Sequence, residues 1–192
     1  MHIQTIVCGQ LQNNTYIVSD NDKVVIIDAA CPAKLIQDKI GNKKVVGVLL
    51  THAHFDHITF LDEIVDNFGC KCYMHPLAFD KLKDTTLNVS HRFCDIVSNL
   101  TDEQVVFVND TQELELLDSL IKVEYTAGHT DCGVCYILDQ VVFSGDTLFC
   151  DGVGRYDLPT SSYKQLCKSL DKLISKYKNY TIYPGHGQIG TI

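Results

Sequence analysis

The stretch of the chain that is most informative about fold and function is Thr51-His52-Ala53-His54-Phe55-Asp56-His57. Three of the eight histidines of the chain fall between His52 and His57. Because alternate side chains of an extended segment point to the same side, we expect His52 and His54 to face one way together. Imidazole and carboxylate groups are good ligands for zinc, iron and manganese. The stretch therefore predicts a metal site.

The two segments beside this stretch have clear secondary-structure patterns. Val45 to Leu50 is a continuous apolar run, which is typical of a strand buried on both faces. Ile58 to Phe68 carries apolar residues at helical spacing, and Gly69 then provides a stop. We expect the strand end to anchor the ligands rigidly, since the geometry of a metal site requires rigid support.

Three further segments place a ligand-type residue just after a predicted strand, with Gly beside it. They are Thr126-Ala127-Gly128-His129-Thr130, Phe143-Ser144-Gly145-Asp146-Thr147 and Tyr183-Pro184-Gly185-His186-Gly187. Gly permits tight turns and a close approach of the backbone. A lone His after a strand is usually a surface or packed residue, and a lone Asp can cap a turn. Because the ends of packed strands converge, the joint pattern favours one shared metal site.

The remaining patterns predict a chain of strands followed by helices and further strands. Predicted strands cover residues 2–7, 15–18, 23–28, 71–74, 104–108, 120–127, 133–138, 141–144 and 180–183. Predicted helices cover 33–40, 76–83 and about 161–176, and residues 84–102 predict a surface loop or cover flap. No linker divides the chain, so we expect a single domain over residues 1–192, with two packed sheets and helices outside.

Composition argues against several classes of protein. With 45% hydrophobic and 21% charged residues, the chain has the profile of a globular protein. It contains no apolar run of the roughly 20 residues that span a membrane, and Met1 to Thr5 lacks the features of a signal peptide. We therefore expect a cytoplasmic protein without a membrane partner. The net charge is −8 and no basic patch is visible, which argues against nucleic acid as a partner.

The nine cysteines predict thiols rather than disulfides. Their number is odd, and several, such as Cys8 and Cys135, lie inside apolar runs. We therefore expect reduced, largely buried side chains. Cys132-Gly133-Val134-Cys135 has the spacing of a zinc-binding pair, but no second pair lies at a suitable distance, which argues against a structural zinc site there.

Taken together, these motifs resemble the metallo-β-lactamase-fold hydrolase superfamily and, within it, the glyoxalase II-like branch. The resemblance extends nearly from end to end. It also includes Asn14-Thr15-Tyr16, Ile27-Asp28, Gly145-Asp146-Thr147-Leu148-Phe149 and Gly154-Arg155-Tyr156-Asp157-Leu158-Pro159. It implies the α/β metallo-β-lactamase fold, a four-layer αβ/βα sandwich in which two mixed β-sheets pack face to face with helices outside. The metals would lie in a groove at one edge.

By matching position, the resemblance implies a site for two divalent metal ions. Zinc is the first expectation for these ions, with iron or manganese as alternatives. The first ion would be held by His52, His54 and His129, the second by Asp56, His57 and His186, and Asp146 would bridge the two. Asp28 would contact and orient a ligand residue rather than bind metal itself. The alternative is that Asp28 is a turn residue at the end of a strand.

The resemblance also implies a hydrolase of small molecules. Two ions that share a water would generate a hydroxide that attacks a carbonyl, and Asp56 is the expected catalytic residue because it would orient that hydroxide. The expected substrate is a thioester or ester, such as the glutathione-linked substrate of a hydroxyacylglutathione hydrolase. Arg155 would bind a substrate carboxylate through its planar fork, the alternative being a salt bridge with Asp157.

Two departures from the glyoxalase II pattern limit this resemblance. Glyoxalase II enzymes carry an additional C-terminal helical domain, and the present sequence ends six residues after His186, so we expect the pocket of that domain to be missing. The turn after His129 usually reads Thr-Pro-Gly-Ser, whereas here it is Thr130-Asp131-Cys132-Gly133. This turn would bring a thiol near the first metal, as an inert or a redox-sensitive neighbour.

Two other functions stay open on the sequence. Persulfide dioxygenases, which use a single iron, share much of the motif set, including an arginine at the position of Arg155. A metal-binding regulatory module without turnover would also keep the ligand residues. Antibiotic hydrolysis is disfavoured, because bacterial zinc β-lactamases usually have Cys where this chain has Asp146.

Overall fold

The computed structural model describes residues 1–192 and contains two six-stranded sheets and a small two-stranded ribbon. The first sheet has its strands in chain order: β1 (His2–Cys8), β2 (Asn13–Asp20), β3 (Lys23–Ile27), β4 (Lys44–Leu49), β5 (Cys72–Met74) and β6 (Val105–Phe107). The second sheet contains β7 (Glu113–Leu114), β8 (Ile121–Tyr125), β9 (Val134–Leu138), β10 (Val141–Gly145), β13 (Thr181–Pro184) and β14 (Gly190–Thr191). The ribbon pairs β11 (Leu148–Phe149) with β12 (Gly152–Val153).

Both sheets are mixed. In the first sheet, β1, β2 and β3 pair antiparallel, whereas β3, β4, β5 and β6 run parallel. The spatial order of the second sheet is β14-β13-β10-β9-β8-β7, and only β13 and β10 are parallel. Parallel strands covered on both faces need apolar side chains throughout, which explains the unbroken apolar run at Val45 to Leu50.

Four α-helices accompany the sheets: α1 (Ala33–Ile40), α2 (Phe55–Ile58), α3 (Leu61–Phe68) and α4 (Tyr163–Lys176). α1 begins after Pro32 and ends at Gly41, where φ is 59°. α4 begins at Ser162, whose hydroxyl accepts a hydrogen bond from the backbone N–H of Gln165. None of the helices combines the length and the apolar character needed to cross a lipid bilayer.

Three hydrophobic cores define the layers. α1 and α3 pack on the outer face of the first sheet through buried residues such as Ile36, Leu61 and Ile26. The inner faces of the two sheets meet around Tyr16 and Tyr136. α4 covers the outer face of the second sheet through a smaller cluster. This arrangement is the four-layer αβ/βα sandwich, so the expected fold class is confirmed.

One predicted helix is divided in the structure. The pattern predicts a helix over 58–68, but the structure has α2 and α3 with a break at Phe60, where φ is −117°. Ala29 causes the break, since its backbone N–H donates to the carbonyl of His57 at 2.7 Å and its carbonyl accepts from the N–H of Phe60 at 2.9 Å. These tertiary hydrogen bonds replace those that a continuous helix would make.

Other differences concern short elements. The predicted helix at 76–83 consists of two 3₁₀ turns, Pro76–Ala78 and Asp80–Lys83. The predicted loop at 84–102 is confirmed as irregular, apart from 3₁₀ turns that begin at Ser90 and Asp102. Four two-residue strands, β7, β11, β12 and β14, were not predicted, because two residues carry no periodicity.

Candidate metal centre

The predicted ligands come from both sheets and meet at one edge of the sandwich. Residues 52–57 follow β4 of the first sheet and include α2. His129 follows β8, Asp146 follows β10 and His186 follows β13, all in the second sheet. Asn14 joins the two sheets close to this edge, since its backbone N–H donates to the carbonyl of Gly185 at 2.7 Å. The structure thus brings all seven predicted ligands together.

Three buried histidines form the first ligand group. His52 Nε2 lies 3.2 Å from His54 Nδ1, and His129 Nε2 lies 2.9 Å from the same atom. Burial and the neighbouring imidazoles lower the pKa of His52 well below its ordinary value, and they lower the pKa of His54 to about 3. Both rings are therefore neutral at physiological pH, and neutral imidazole is the form that binds a metal ion.

Asp56, His57 and His186 form the second group. His186 Nε2 lies 3.0 Å from Asp56 Oδ2, and His57 Nε2 lies 3.7 Å from the same oxygen. Burial lowers the pKa of His57, but Asp28, Asp56 and Asp146 raise it more, so the net pKa lies well above the ordinary value. The carboxylates around this ring therefore favour a positive charge at this position, as a proton or as a metal ion.

Asp146 lies between the two groups. Its Oδ1 is 3.4 Å from His57 Nε2, and its Oδ2 is 3.6 Å from both His129 Nε2 and His186 Nε2. Burial raises the pKa of this carboxyl, but the charges of His57, His129 and His186 outweigh burial and leave the pKa below its usual range. Asp146 is thus an ionised carboxylate in contact with residues of both groups, the arrangement that a bridging ligand requires.

Buried polar atoms without partners support the presence of metal ions here. His54 Nε2, His57 Nε2 and Asp146 Oδ1 are buried and make no hydrogen bond. Such atoms cost free energy unless something compensates them. The ligand atoms within each group lie within 4.8 Å of one another. Imidazole nitrogens with carboxylate oxygens suit zinc, iron or manganese better than calcium or magnesium, so the residues fit the expected metals.

Three of the histidine rings are oriented by hydrogen bonds made by the ring nitrogen that faces away from the ligand groups. His57 Nδ1 donates to Asp28 Oδ2 at 2.7 Å, His129 Nδ1 to the carbonyl of Arg155 at 2.8 Å, and His186 Nδ1 to the carbonyl of Leu11 at 2.9 Å. Each bond turns the opposite nitrogen, Nε2, towards the ligand groups. Support of this kind fixes both the tautomer and the orientation of a metal-binding histidine.

Asp28 contacts the ring of His57. Its side chain is buried, and it accepts hydrogen bonds from the backbone N–H and the hydroxyl of Thr51, both at 2.8 Å. Its φ is 58°, a conformation that a residue other than Gly adopts only at a cost. Oδ1 of Asp28 thus binds Thr51, and Oδ2 binds both Thr51 and His57 on the side of the His57 ring away from the other ligands.

Two glycines allow the strands to approach the ligands closely. Gly145 has a φ of 50°, and a Cβ there would lie 2.5 Å from the hydroxyl of Thr51. A Cβ at Gly185 would collide with Asp146 Oδ1 and lie 2.7 Å from His57 Cε1. The Gly-flanked pattern in the sequence thus has a steric cause at the site.

Asn13 contacts a ligand residue, and no sequence motif predicts this contact. This residue is buried, its Nδ2 lies 3.5 Å from Asp56 Oδ2, and its Oδ1 has no partner. Its backbone forms an isolated bridge with His186. Asn13 starts β2, and neither periodicity nor spacing distinguishes it from a turn residue, so only the tertiary structure shows its contact with the ligands.

Cys132 is a buried, protonated thiol. Its side chain belongs to the core on the outer side of the first sheet, and its sulfur lies 3.3 Å from the hydroxyl of Thr130. Burial raises the pKa of Cys132, so the thiolate that oxidation or metal binding would need is disfavoured. All nine cysteines are free, and five of them are buried, which agrees with the prediction of reduced thiols.

A cavity of about 480 Å³ lies over the ligands. Its walls include apolar side chains such as Phe55, Phe149 and Leu158. Arg155 also lines it, and its Nε and Nη2 donate to the two carboxylate oxygens of Asp157 at 2.9 and 3.0 Å. Arg155 therefore makes the predicted ion pair and also faces the space in which a substrate would lie.

Comparison with known proteins identifies the family. The family model of the metallo-β-lactamase superfamily matches residues 8–186, and the chain belongs to this superfamily. A probable metallo-hydrolase of Streptococcus pyogenes serotype M6 is 33% identical over 192 residues, covering 93% of this chain and 81% of the relative. The probable metallo-hydrolase YqgX of Bacillus subtilis is 31% identical, covering 93% of this chain and 87% of the relative.

Solved structures give the same result. The crystal structure of the BLEG-1 B3 metallo-β-lactamase superposes with a TM-score of 0.91 at 29% identity, covering 99% of this chain and 94% of that protein. The di-iron-bound form of TTHA1623 superposes with a TM-score of 0.86 at 30% identity, covering 98% of this chain and 94% of that protein.

Proposed function

We propose that this chain is a metal-dependent hydrolase of thioesters or esters, of the hydroxyacylglutathione hydrolase type, with a two-metal site. The observation that carries the proposal is the position of Asp146, an ionised carboxylate within 3.6 Å of histidines from both ligand groups. The relatives named as probable metallo-hydrolases and the di-iron-bound neighbour support it.

The ligand set defines the chemistry that bound metal would supply. His52, His54 and His129 would hold one ion, Asp56, His57 and His186 the other, with Asp146 in contact with both. Two divalent ions supply Lewis acidity and lower the pKa of a water between them, which is what hydrolysis of an acyl bond requires.

Asp56 is the catalytic residue that we propose. Burial raises the pKa of its carboxyl, but the charge of His57 and the hydrogen bond from His186 outweigh burial, so the pKa lies below its ordinary value. The group is thus an ionised acceptor that lines the cavity. A carboxylate in this position orients an attacking water and accepts its proton.

The shape of the site suits a substrate that extends to both sides of the scissile bond. A second cavity of about 310 Å³, with mainly apolar walls that include Pro32 and Phe60, adjoins the first. The two cavities share Phe55, Asp56 and Phe93 in their walls. An acyl group can lie in one cavity and the alcohol or thiol portion in the other, with the carbonyl beside Asp56.

Activity assays of the purified protein with its metal content measured test this proposal. We expect hydrolysis of S-lactoylglutathione or of a simple aryl ester that disappears with chelation and returns with added metal. Nitrocefin is a competing substrate, since one structural neighbour is a B3 metallo-β-lactamase. Oxygen-dependent oxidation of glutathione persulfide with one iron would instead show a dioxygenase. Bound metal with no turnover would show a binding module.

A pair of variants connects this assay to Asp56. Asp56→Asn should lower kcat by roughly 100-fold to 10,000-fold, as expected for loss of a general base. Asp171→Asn, an exposed position on α4, should keep the wild-type rate. Equal rates for both variants and the wild-type protein would contradict the role of Asp56.

A further inference from the structure

The two cavities beside Asp56 differ in charge. Histidine and arginine side chains line the first cavity, of about 480 Å³, together with Asp56 and Asp146. The walls of the second cavity, of about 310 Å³, contain no lysine, arginine or histidine, and Asp56 is their only carboxylate. An anionic group would lose its hydration there without gaining a partner, which is costly. A cationic group would find only Asp56, which already belongs to the second ligand group. The second cavity therefore suits an uncharged group.

Apolar side chains that belong to the hydrophobic core form part of the wall of the second cavity. Phe60 and Ile96 line it and pack against the core on the outer side of the first sheet. Ala30 lines it as well, and its backbone N–H donates to the hydroxyl of Thr15 at 3.0 Å. Because the core and this hydrogen bond hold these residues in place, the space is already formed before a ligand binds, as is usual for small-molecule sites.

The segment from Asn88 to Asn99 forms another part of the wall and is anchored at both ends. The side chains of Asn88 and Ser90 are buried and donate to the carbonyl of Ile96 at 2.9 and 3.0 Å. At the other end, the backbone N–H of Asn99 donates to the carboxylate of Asp62 at 2.8 Å. These bonds hold the irregular segment against the body of the protein, so it gives the second cavity a defined shape.

Exposed apolar side chains lie where the two cavities meet. Leu11 is 42% exposed and Phe93 is 51% exposed, and both line both cavities. Phe93 stacks on Phe55 with ring centroids 4.7 Å apart, and the carbonyl of Leu11 accepts the hydrogen bond from His186. The exposed apolar surface is thus tied to a ligand residue. An apolar group bound beside Asp56 would remove this surface from water, which favours binding.

The charge of the leaving group determines which part of the substrate each cavity suits. In hydrolysis of an ester or a thioester, the leaving oxygen or sulfur gains negative charge and needs positive charge nearby, whereas the acyl chain stays uncharged. His54, His129 and His186 line the first cavity and not the second. The positive charge that these residues would hold therefore belongs to the first cavity, which suits the leaving group. The second cavity is left for the acyl chain.

We propose that the second cavity binds the acyl chain of the substrate and that this chain is an uncharged alkyl group longer than acetyl. The inference rests on the proposed function and narrows its substrate class to thioesters or esters of apolar alkanoic acids. A hexanoyl chain would fill far more of the cavity than a lactoyl group and has no hydroxyl to desolvate.

Binding of alkyl hydroxamates tests this inference separately from turnover. The probes are acetohydroxamate, butanohydroxamate and hexanohydroxamate, which share one metal-binding group and differ only in chain length. Each is titrated calorimetrically into the metal-containing protein. We expect the dissociation constant to fall by about two- to fourfold for each added methylene, because each is transferred from water to an apolar wall. Equal affinity for the three probes would overturn the inference.

Two matched variants assign the alkyl chain to one of the cavities. Thr59 and Val153 are both exposed; Thr59 lines only the second cavity and Val153 only the first. Thr59→Trp should remove most of the gain from acetohydroxamate to hexanohydroxamate, and the affinity for acetohydroxamate should stay within about twofold of wild type. Val153→Trp should keep the gain. An unchanged gain in Thr59→Trp, or a loss of the gain in Val153→Trp alone, would overturn the inference.

The outcomes distinguish this inference from the proposed function. A gain in affinity with chain length, without hydrolysis of any ester or thioester, would retain the alkyl site and reject the proposed function. Hydrolysis of S-lactoylglutathione with equal binding of the three hydroxamates would retain the proposed function and reject the alkyl site. Absence of binding of all three probes to the metal-containing protein would overturn both.

Discussion

Two clusters of buried charge in this protein differ in how their hydrogen bonds are satisfied. One is the metal centre around Asp146. The other, the Glu124 cluster, lies under α4 and contains Glu124, Lys172, Lys176 and Tyr177. Both place a carboxylate largely out of contact with water, which is costly without compensation.

The Glu124 cluster satisfies its carboxylate completely. Tyr177 donates its hydroxyl to Glu124 at 2.6 Å, Lys176 Nζ donates at 3.0 and 3.3 Å, and Lys172 Nζ lies at 3.1 Å. Burial raises the pKa of Glu124, but these hydrogen bonds outweigh burial and lower it to about 2. Neither oxygen remains without a partner, so the cluster stabilises the packing of α4 and has no capacity for a ligand.

The metal centre leaves some of its buried polar atoms without a hydrogen-bond partner. His57 Nε2 and Asp146 Oδ1 are buried, lie 3.4 Å apart, and have no hydrogen bond. Burial of charge does not by itself mark a functional site. A functional site is indicated where buried charged groups also have donors or acceptors without a partner. The free energy that compensates such atoms must come from a bound group.

The largest expected effect is a loss of activity when the metal centre, and not the Glu124 cluster, loses its carboxylate. Asp146→Ala should lower kcat/KM by at least about a thousandfold, because both ligand groups lose the carboxylate they share. Steady-state kinetics with S-lactoylglutathione, or with the best ester, measures the effect. Circular dichroism should show that the variant remains folded. A rate within about tenfold of wild type would contradict a shared carboxylate.

A smaller effect, on metal affinity, is expected from changing Asp28, which accepts a hydrogen bond from His57. Asp28→Asn removes the negative charge and one of the two acceptor oxygens, so Thr51 N–H and His57 Nδ1 can no longer both have an acceptor; such changes weaken metal affinity by about 10- to 100-fold. Competitive metal titration should show that one ion is lost easily while the ion of His52, His54 and His129 is retained. Equal weakening of both ions would show that Asp28 supports the whole edge rather than the second group.

The smallest effect concerns stability and its dependence on pH. Glu124→Gln should lower the free energy of unfolding at pH 7 by about 2 kcal/mol, because Lys172 and Lys176 of the cluster, and Lys122 beside it, lose their buried anion. kcat/KM should stay within about twofold of wild type, since none of the side chains that Glu124 contacts is a predicted ligand.

The pH dependence follows from the lowered pKa of Glu124. A carboxylate whose pKa is lower in the folded than in the unfolded state stabilises the protein above the unfolded value and loses this contribution as pH falls. Between pH 6 and pH 3 the wild-type protein should lose about 1 to 2 kcal/mol more stability than Glu124→Gln. Urea unfolding at both pH values measures this difference, and parallel losses in the two proteins would show that Glu124 is not the group that titrates.

Much of the fold could be predicted from the sequence, because its main strands carry apolar runs or Val- and Ile-rich patterns. The break at Phe60 could not be predicted, since it depends on hydrogen bonds with Ala29, which is distant in the sequence. The two-residue strands were missed because pairing with a neighbouring strand, and not local pattern, creates them.

The metal centre was more predictable than the cavity above it. Each ligand lies in a short motif at a strand end, and strand ends of packed sheets meet. Asn13 and Phe93 belong to no such motif, and their contribution depends on how the segments around them fold over the ligands. Local sequence therefore predicts the ligands, whereas the walls of the cavity require the tertiary structure.

The most direct test of a two-metal centre is the metal content of the purified protein. Elemental analysis after purification without chelators, combined with protein quantification by amino-acid analysis, gives the number of ions per chain. Seven ligand residues in two groups that share Asp146 predict close to two ions per chain in the wild-type protein. One iron per chain, unchanged after incubation with excess zinc or manganese, would contradict the two-metal centre.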